Sequence, residues 1–586
     1  MIALDLETFW SRSYSVATLG LDRYVMHPSF KVTLVSLYSP EFQWVGKPEN
    51  LPVERLHGQD VCAHNAEFDS VCARMEIFKG RMPAFEPARW VCTADMAAYH
   101  QLPRALAGAC KQLFDIDVDK NVRNAMQNLS VEEIQANPSF LEYALLDAKL
   151  SYDVYEALKH GFPEKEALLS ELGRKIASRG MPLDGPLTQR QIFHLEDAME
   201  ECEKVLPWVR GEKHAAVTST IALADACKLY EVPPPPSTNE TDLETRKWKA
   251  LYPKQGAWVD AMSRWRKANK QAESLTGLLL RKRPDSRVSV RLKYCGAQHT
   301  KRWSGTGGLN FQGIPRDEVE KTSFKRCLKA QPGKVVVSVD FSQIEPRILH
   351  WLAGDLDFLS LVRSGIDLYE AHGRASGLYV EEEPMKDLAP HLRHLCKARV
   401  LGLGYGCGVK KFGEVASALT GGKLNLPPER AKQEVRGYRI QNPLIPELWN
   451  KLEDYVRSKI PESDGDVVTV DTRAGTPVRY FDVRDEGGKL SGTTIKGGPR
   501  KSLYGGLLVE NLVQATARDV FAEAMLRVEA AGLEILLHVH DSLTVEVEES
   551  QGRETLELIT RTLSSPPVWA EGLPLAAEGE FKEHYT

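Results

Sequence analysis

Two periods of hydrophobic patterning share the first 165 residues. IALDLE, KVTLVSLYS and DVCAHN are short apolar runs with the two-residue alternation of strands. FDSVCARMEIF and SFLEYALLDAKLSYDVYEALKHG repeat their apolar positions at helical spacing. Strands alternating with helices predict an α/β layer fold. From about 166 to 280 the pattern turns helical and charged, as in LTQRQIFHLEDAMEECEKVL and WVDAMSRWRKANKQAESLTGLLL, broken by VPPPPSTNET at 232–241, a stiff exposed loop. After 281 short strands return around long helices between 385 and 460. The chain is thus a mixed α/β and α+β protein, and 586 residues predict about three or four domains. It has no internal repeat and no low-complexity tail.

Composition changes this picture little. The chain is 42% hydrophobic and 26% charged, ordinary for a globular protein, and no apolar run reaches the length of a membrane span. MIALDLETFW lacks the basic-then-apolar order of a signal peptide, which predicts a cytoplasmic protein and no membrane partner. Ten cysteines without a C-x-x-C pair read as reduced buried thiols rather than a zinc site or disulfides. The net charge of −5 excludes only a globally basic coat. Locally, RKRPDSRVSVRLKYCGAQHTKR (281–302) sets many lysines and arginines against one acid, Asp285. A solvated face and a phosphate-binding track both fit that run.

Carboxylates appear where strands should stay apolar. In IALDLE the alternation puts Asp5 and Glu7 on one face. HNAEFD brings Asp69 to a strand–helix junction, and YALLD puts Tyr143 and Asp147 one helical turn apart. Converging carboxylates repel one another unless cations lie between them, and two divalent metals would also serve phosphodiester cleavage. D-x-E alone is common by chance, and unrelated surface clusters are the bland alternative. D-x-E, N-x-x-F-D and Y-x-x-x-D in this order are far more specific.

A second set lies downstream. VVVSVDFSQIEPR ends a valine-rich strand on Asp340 and follows it with Glu345 and Arg347. A strand surfacing with a helix-capping aspartate is one reading; a rigid scaffold holding a carboxylate for chemistry is the other. LEILLHVHDSLTVEVE reads as a hairpin turning at His540–Asp541–Ser542, which puts another carboxylate at a strand rim. In HLRHLCKARVLGLGYG, Arg393, Lys397 and Leu401 fall four apart, so two cations share a helix face, as a triphosphate or plain solvation would each allow.

Together these segments resemble the family A DNA polymerases, preceded by a 3′→5′ proofreading exonuclease domain of the tyrosine-containing type. The resemblance covers nearly the whole chain, is weakest in 166–280, and is nearest to the compact phage-encoded branch. It implies an RNase H-like exonuclease domain at 1–165, a thumb and connecting segment at 166–300, palm at 301–355 and 506–586, and fingers at 356–505. With the first motif at residue 5, no N-terminal 5′-nuclease domain is expected. The resemblance assigns metal binding to Asp5, Glu7, Asp69 and Asp147, with Tyr143 orienting the attacking water. Asp340 and Asp541 become the polymerase metal ligands, with two Mg²⁺ at each site and Mn²⁺ as the alternative.

By the same resemblance Arg393 and Lys397 grip the nucleotide phosphates, Lys397 gives a proton to pyrophosphate, and Glu345 screens the sugar with Tyr405 as its polar partner. Tyr405 also guards the templating position. Gln343, Leu401 and Tyr369 border the deoxynucleoside triphosphate. TKRWSGTGGLNFQGIPR looks like a primer–template segment, making Arg302, Asn310 and Gln312 DNA contacts, joined by Gln514 of ENLVQATARD and His540 beside the primer end. The departures are Leu401 where an aromatic residue is usual, Ser542 in place of a glutamate, Tyr369 in place of a histidine, and Pro346 after Glu345, which a first helical turn tolerates. A degradative nuclease using its second half only as a DNA clamp, and a non-catalytic replisome scaffold, are the rival classes.

Overall fold

Strand β1 (Ile2–Thr8) turns Ile2, Leu4 and Leu6 to one face and Ala3, Asp5 and Glu7 to the other, and layers form on each side of it. It pairs antiparallel with β2 (Val32–Ser39), beyond which lies β3 (Phe42–Gly46). On its other edge it runs parallel to β4 (Asp60–Ala63), followed by β5 (Arg89–Cys92), giving the order β3-β2-β1-β4-β5. Leu4 and Leu6 pack with Cys72 and Ala73 of helix α1 (Ala66–Phe78). Ala3, on the opposite face, packs with Leu150, Val154 and Leu158 of α2 (Pro138–Leu158). The result is a sheet between helices. This computed structural model describes residues 1–585 except 120, 210–213, 240–241, 307–308, 315–317 and 461–466 and the side chain at 243. Residues 240–241 of the proline-rich loop, and 307–308 and 315–316 of the stretch 300–316, lie outside the described residues.

Helix α3 (Glu164–Arg179) leads out of this domain. Then α4 (Gly185–Val205), begun by an Asp184 cap on the Leu187 N–H, packs along α5 (Pro253–Leu280). A two-stranded hairpin follows, β6 (Leu292–Ala297) and β7 (Arg302–Gly305). Strand β8 (Lys334–Phe341) opens the second large unit and turns into α6 (Ile344–Ala353) through Gln343, whose φ of 47° is left-handed. Helices α7 (Leu368–Ala375) and α8 (Pro390–Leu403) lie beyond it.

Strands β9 (Val467–Asp471), β10 (Pro477–Glu486), β11 (Lys489–Thr493) and β12 (Lys501–Ser502) make a separate antiparallel sheet. The long α9 (Gly505–Ala530) is buried along most of its length. Strands β13 (Ile535–Val539), β14 (Ser542–Glu548) and, after α10 (Gly552–Ser564), β15 (Ala577–Lys582) close on β8 in the order β13-β14-β8-β15. Strand β8 is therefore interior, antiparallel to both neighbours, with Val335, Val336, Val337 and Val339 buried.

One buried ion pair joins the halves. Arg518 of α9 donates both terminal nitrogens to Glu166 of α3 at 2.6 Å, and the Tyr294 hydroxyl donates to the same carboxylate at 2.5 Å. Its Nε donates to the Lys301 carbonyl at 3.1 Å. Beside it, Asp519 accepts from Thr472 and Thr476 at 2.7 and 2.8 Å.

The basic run at 281–302 is neither a solvated face nor, for most of its residues, an open phosphate track. Arg283 donates to the carbonyls of Ser178 and Arg179 and pairs with Asp285. Arg287 pairs with Glu546, Arg291 with Asp22 and Glu67, and Lys301 is fully buried. Lys282 and Lys293 remain exposed. The charges are spent on anchoring the hairpin to the elements around it.

Removing one member of the Arg518–Glu166 pair should be costly, because the other stays buried and unpaired. Glu166→Ala should lose about 3–5 kcal/mol of stability. Replacing both, as Glu166→Leu with Arg518→Met, should lose far less in thermal or urea unfolding. Equal losses from the single and the double change would show that packing alone holds this joint.

Candidate active sites

The first site grows from β1. Asp5 and Glu7, two residues apart, point to the same side of the sheet as Ala3, and α2 lies across that side. Ser36 of β2 clamps the helix by donating to the Ala144 carbonyl at 2.8 Å. That fixes the turn of α2 bearing Tyr143 and Asp147. Ligand oxygens of Asp5, Glu7 and Asp147 lie within 4.8 Å of one another. Asp69 enters from the first turn of α1, whose start at Asn65 is left-handed (φ 80°), a conformation asparagine tolerates. It stands outside the closest triad, accepts from the backbone N–H groups of Leu6 and Asp69, and lines the same cavity of about 630 Å³.

Electrostatics mark the cluster. Burial, then Glu7, Asp147 and Asp69, push the Asp5 carboxyl well above its ordinary range, and burial pushes Asp69 up as well. Glu7 is raised by burial to about 7, with Arg123 opposing and Asp147 reinforcing the rise. One buried oxygen of Asp5 has no hydrogen-bond partner among the described residues. The Tyr143 hydroxyl is hydrogen-bonded with Asp147 and shifted upward by burial and that carboxylate. All five residues expected from the sequence reach this cavity. Arg123, the cation that faces them, sits in NVRNA, a short helix with no motif to betray it.

The second site is set by strand register. Asp340 of β8 lies opposite Ser542 on one side and Glu578 of β15 on the other. The β13–β14 turn consists of His540, left-handed at φ 55°, and Asp541, whose carbonyl accepts from the Phe341 N–H at 3.3 Å. The two aspartates are therefore neighbours, and their side chains are hydrogen-bonded. Burial raises the Asp541 carboxyl; Asp340 and Arg302 draw it down and Glu345 pushes it up. A cavity of about 330 Å³ holds Asp340, Asp541, His540 and Gln312 together with Glu578 and Glu580, two acids on a strand that the sequence pattern did not reveal.

Around this pair the expected residues fall into groups. Arg302 and Gln312 share a small cavity with Asp541 and His540. Asn310 caps a short turn by accepting from the Gln312 N–H at 3.0 Å, and presses on Gly305 so closely that a Cβ there would lie 2.0 Å from its oxygen. Gln514 on α9 donates to Glu510 at 3.3 Å. Gln343 and Arg393 line a third cavity of about 1040 Å³ with Arg363, Asp367 and Lys386.

Arg393 commits Nε and Nη2 to Asp367 at 3.2 and 2.9 Å and lies 5.1 Å over the Tyr369 ring. Lys397 is half-buried one turn further along α8, outside that cavity lining. Leu401 packs partly buried against the core. Helix α9 starts against the next turn: a Cβ on Gly506 would lie 2.3 Å from the Tyr405 carbonyl, which admits only glycine there.

One expectation is corrected. The polar partner of Glu345 is Arg302, donating at 2.9 Å, and not Tyr405. The Tyr405 hydroxyl is buried without a hydrogen-bond partner among the described residues. A long guanidinium from the β6–β7 hairpin reaches Glu345 first, and spacing along α6 and α8 gives no sign of it.

Mutual repulsion in the first site makes a stability prediction. A carboxyl raised from 4.5 to about 7 favours the fold while protonated, and that support is lost as pH rises from about 4.5 through 7. Without divalent cations at pH 8, Asp5→Asn with Glu7→Gln should therefore melt higher than the wild type, by the equivalent of roughly 2–3 kcal/mol, with the gap vanishing near pH 4. A lower melting temperature for the variant at pH 8 would contradict this electrostatic picture.

Comparison with known proteins agrees with the geometry. The family model described as DNA polymerase family A matches residues 189–585. The DNA polymerase of Bacillus phage SP02 is 26% identical, covering 100% of this chain and 99% of its own length. DNA polymerase I of Helicobacter pylori strain J99 is 27% identical over 51% of this chain and 30% of its own length. The POL domain of Pol1 from M. smegmatis, solved in complex with DNA primer-template and dNTP, superposes with a TM-score of 0.69 at 17% identity, covering 100% of this chain and 95% of that one. With paired aspartates at the rim of an antiparallel sheet and a family match over most of its length, the chain belongs to DNA polymerase family A.

Proposed function

We propose that this polymerase extends a primer 3′ end with deoxynucleoside triphosphates and proofreads with a 3′→5′ exonuclease in its own N-terminal domain, as in phage DNA replication. The observation that carries the reading is the presence of two carboxylate clusters on two separate sheets, each mounted rigidly at a strand. Residues 1–165 are the RNase H-like exonuclease domain and 166–300 the thumb and its connections. Residues 301–355 and 506–586 form the palm, and 356–505 the fingers of a right-handed architecture.

Asp5, Glu7, Asp69 and Asp147 would hold Mg²⁺ (or Mn²⁺) in one site, and Asp340 and Asp541 in the other. The raised carboxyls and the unpartnered oxygen of Asp5 fit such cations. A divalent cation bound there lowers the pKa of an attacking oxygen and stabilises the leaving one. The chain's own groups do the rest. Tyr143 orients the water for 3′-end cleavage. Arg393 and Lys397 hold the triphosphate, and the Lys397 ammonium supplies the proton that pyrophosphate needs on leaving. Gln343, Tyr369 and Leu401 border the nucleotide, Glu345 fills the space of a 2′-hydroxyl, and Tyr405 faces the templating position. Arg302, Asn310, Gln312, Gln514 and His540 contact primer–template DNA.

Because the ligands come from different domains, the activities should separate. Asp5→Ala with Glu7→Ala should abolish 3′-end degradation on a labelled primer and spare extension, while Asp340→Ala or Asp541→Ala does the reverse. Normal extension by the Asp541→Ala protein would refute the polymerase assignment.

DNA affinity should follow the exposed cations rather than the whole basic run. Lys282→Ala should reduce the slope of log K against log salt by about 0.9 if Lys282 touches a duplex phosphate. Arg283→Ala should leave the slope unchanged and lower the melting temperature, because its guanidinium holds two backbone carbonyls. The opposite pattern in fluorescence-anisotropy titrations would return the run to a phosphate track.

A further inference from the structure

Lys301 is a lysine that none of the roles above uses. It is fully buried and sits at φ 59°, in the left-handed region that costs a long side chain about 1 kcal/mol or more. Its ammonium meets no carboxylate among the described residues. It donates instead to the Tyr99 carbonyl at 2.6 Å and the Gln101 side-chain oxygen at 3.0 Å, both in the N-terminal domain. Gln298, three residues earlier, donates to the Leu102 carbonyl at 2.8 Å. Gln101 itself donates to the carbonyls of Arg479 and Thr494 at 2.8 Å each. The turn between β6 and β7 is thus docked on residues 99–102.

The next residue along is Arg302, which reaches Glu345. That pair is about one-third exposed on each side, and half-exposed ion pairs hold their own geometry weakly. Where Arg302 stands must come from its backbone, and the backbone is held by Lys301 through its ammonium and through the carbonyl that accepts from Arg518.

We propose that Lys301 is a positioning residue for sugar selection: anchored on the N-terminal domain, it sets Arg302 against Glu345 and so holds the carboxylate that screens the nucleotide 2′ position. This rests on the proposed role of Glu345. A docking contact of the exonuclease domain thereby sharpens the choice of sugar at the polymerase site. Burial pushes the Lys301 ammonium down to about 7, so the enclosure works against its charge and the two acceptors on residues 99–101 offset that cost. A side chain needed only to fill space would be better served by an apolar one of the same length.

The test measures single-nucleotide incorporation of deoxy- and ribonucleoside triphosphates by Lys301→Met, Gln101→Leu, Glu345→Ala and the Lys301→Met/Glu345→Ala double variant. Lys301→Met and Gln101→Leu should each lower the deoxy-to-ribo ratio of kcat/KM by about 5- to 10-fold, the low end of coupling between sites. The loss should appear mainly in the ribonucleotide KM, with the single-stranded exonuclease rate kept, while the melting temperature falls because buried hydrogen bonds are lost in both variants. The double variant should discriminate no worse than Glu345→Ala alone, because both changes act on one group.

If Lys301→Met fails to fold, Gln101→Leu, on the other side of the contact, decides between the outcomes. Unchanged discrimination in the folded variants, alongside relaxed discrimination in Glu345→Ala, would overturn the role of Lys301 and leave that of Glu345 standing. Unchanged discrimination in Glu345→Ala would overturn both.

Discussion

The buried pair of Arg518 with Glu166 is the joint on which both sites depend. Helix α9 carries Arg518 into the interior, while α3 brings Glu166 directly from the end of the first domain. Tyr294 and Lys301 close the remaining positions, so the β6–β7 hairpin is held by the same guanidinium. Trp303 on that hairpin stacks beneath Arg518, its ring 4.8 Å away, and also lines the cavity beside Asp541. On the other strand, Tyr294 lines the cavity of the Asp5 cluster. A single desolvated ion pair thus sits in the wall between two carboxylate sites. Such a pair adds little net stability over an apolar substitute, but it tolerates no loss of one partner.

The two sites solve the same electrostatic problem differently. In the first, three carboxylates close to within 4.8 Å with Arg123 facing them, and burial raises Asp5 and Glu7. In the second, the aspartates lie at the rim of the sheet, Asp340 is exposed, and Arg302 relieves both Asp541 and Glu345. The deeper cluster therefore depends more on added positive charge, whereas the rim site carries part of that charge within the chain. Both use a strand as the mount, because a paired strand with buried neighbours cannot shift its register without turning every side chain over.

Much of this was legible in the sequence. Period-two alternation in IALDLE, helical period around Tyr143 and Asp147, and the hairpin around His540–Asp541 each place their polar residues correctly, since local pattern decides which face they occupy. The segments around Asp340, Arg393 and Asp541 pointed to the family whose model matches residues 189–585. What stayed hidden is set by partners far away in sequence. Strand β15 alternates poorly, with Glu578, Gly579 and Glu580 in succession, and is a strand because β8 offers it an edge. Gly579 lies so near β8 that a Cβ would come 2.3 Å from the Ser338 carbonyl, which no pattern of hydrophobicity reports.

The basic run shows the same limit in charge rather than in shape. Counted along the chain, residues 281–302 look like a surface made for phosphates. In three dimensions Arg283 satisfies the carbonyls at the end of α3, Arg287 and Arg291 meet acids 259 and 269 residues away, and Lys301 is enclosed. Once enclosed, each of these cations needs such an acceptor, because an unpaired buried charge is costly and the interior strengthens any hydrogen bond to a charged group. A segment dense in arginine can therefore be a hub of internal anchoring, and this one links the domain bearing Asp5 to β14, the strand that follows Asp541. Its charge density reflects the number of neighbours it must hold, and Lys282 and Lys293 are its exposed lysines.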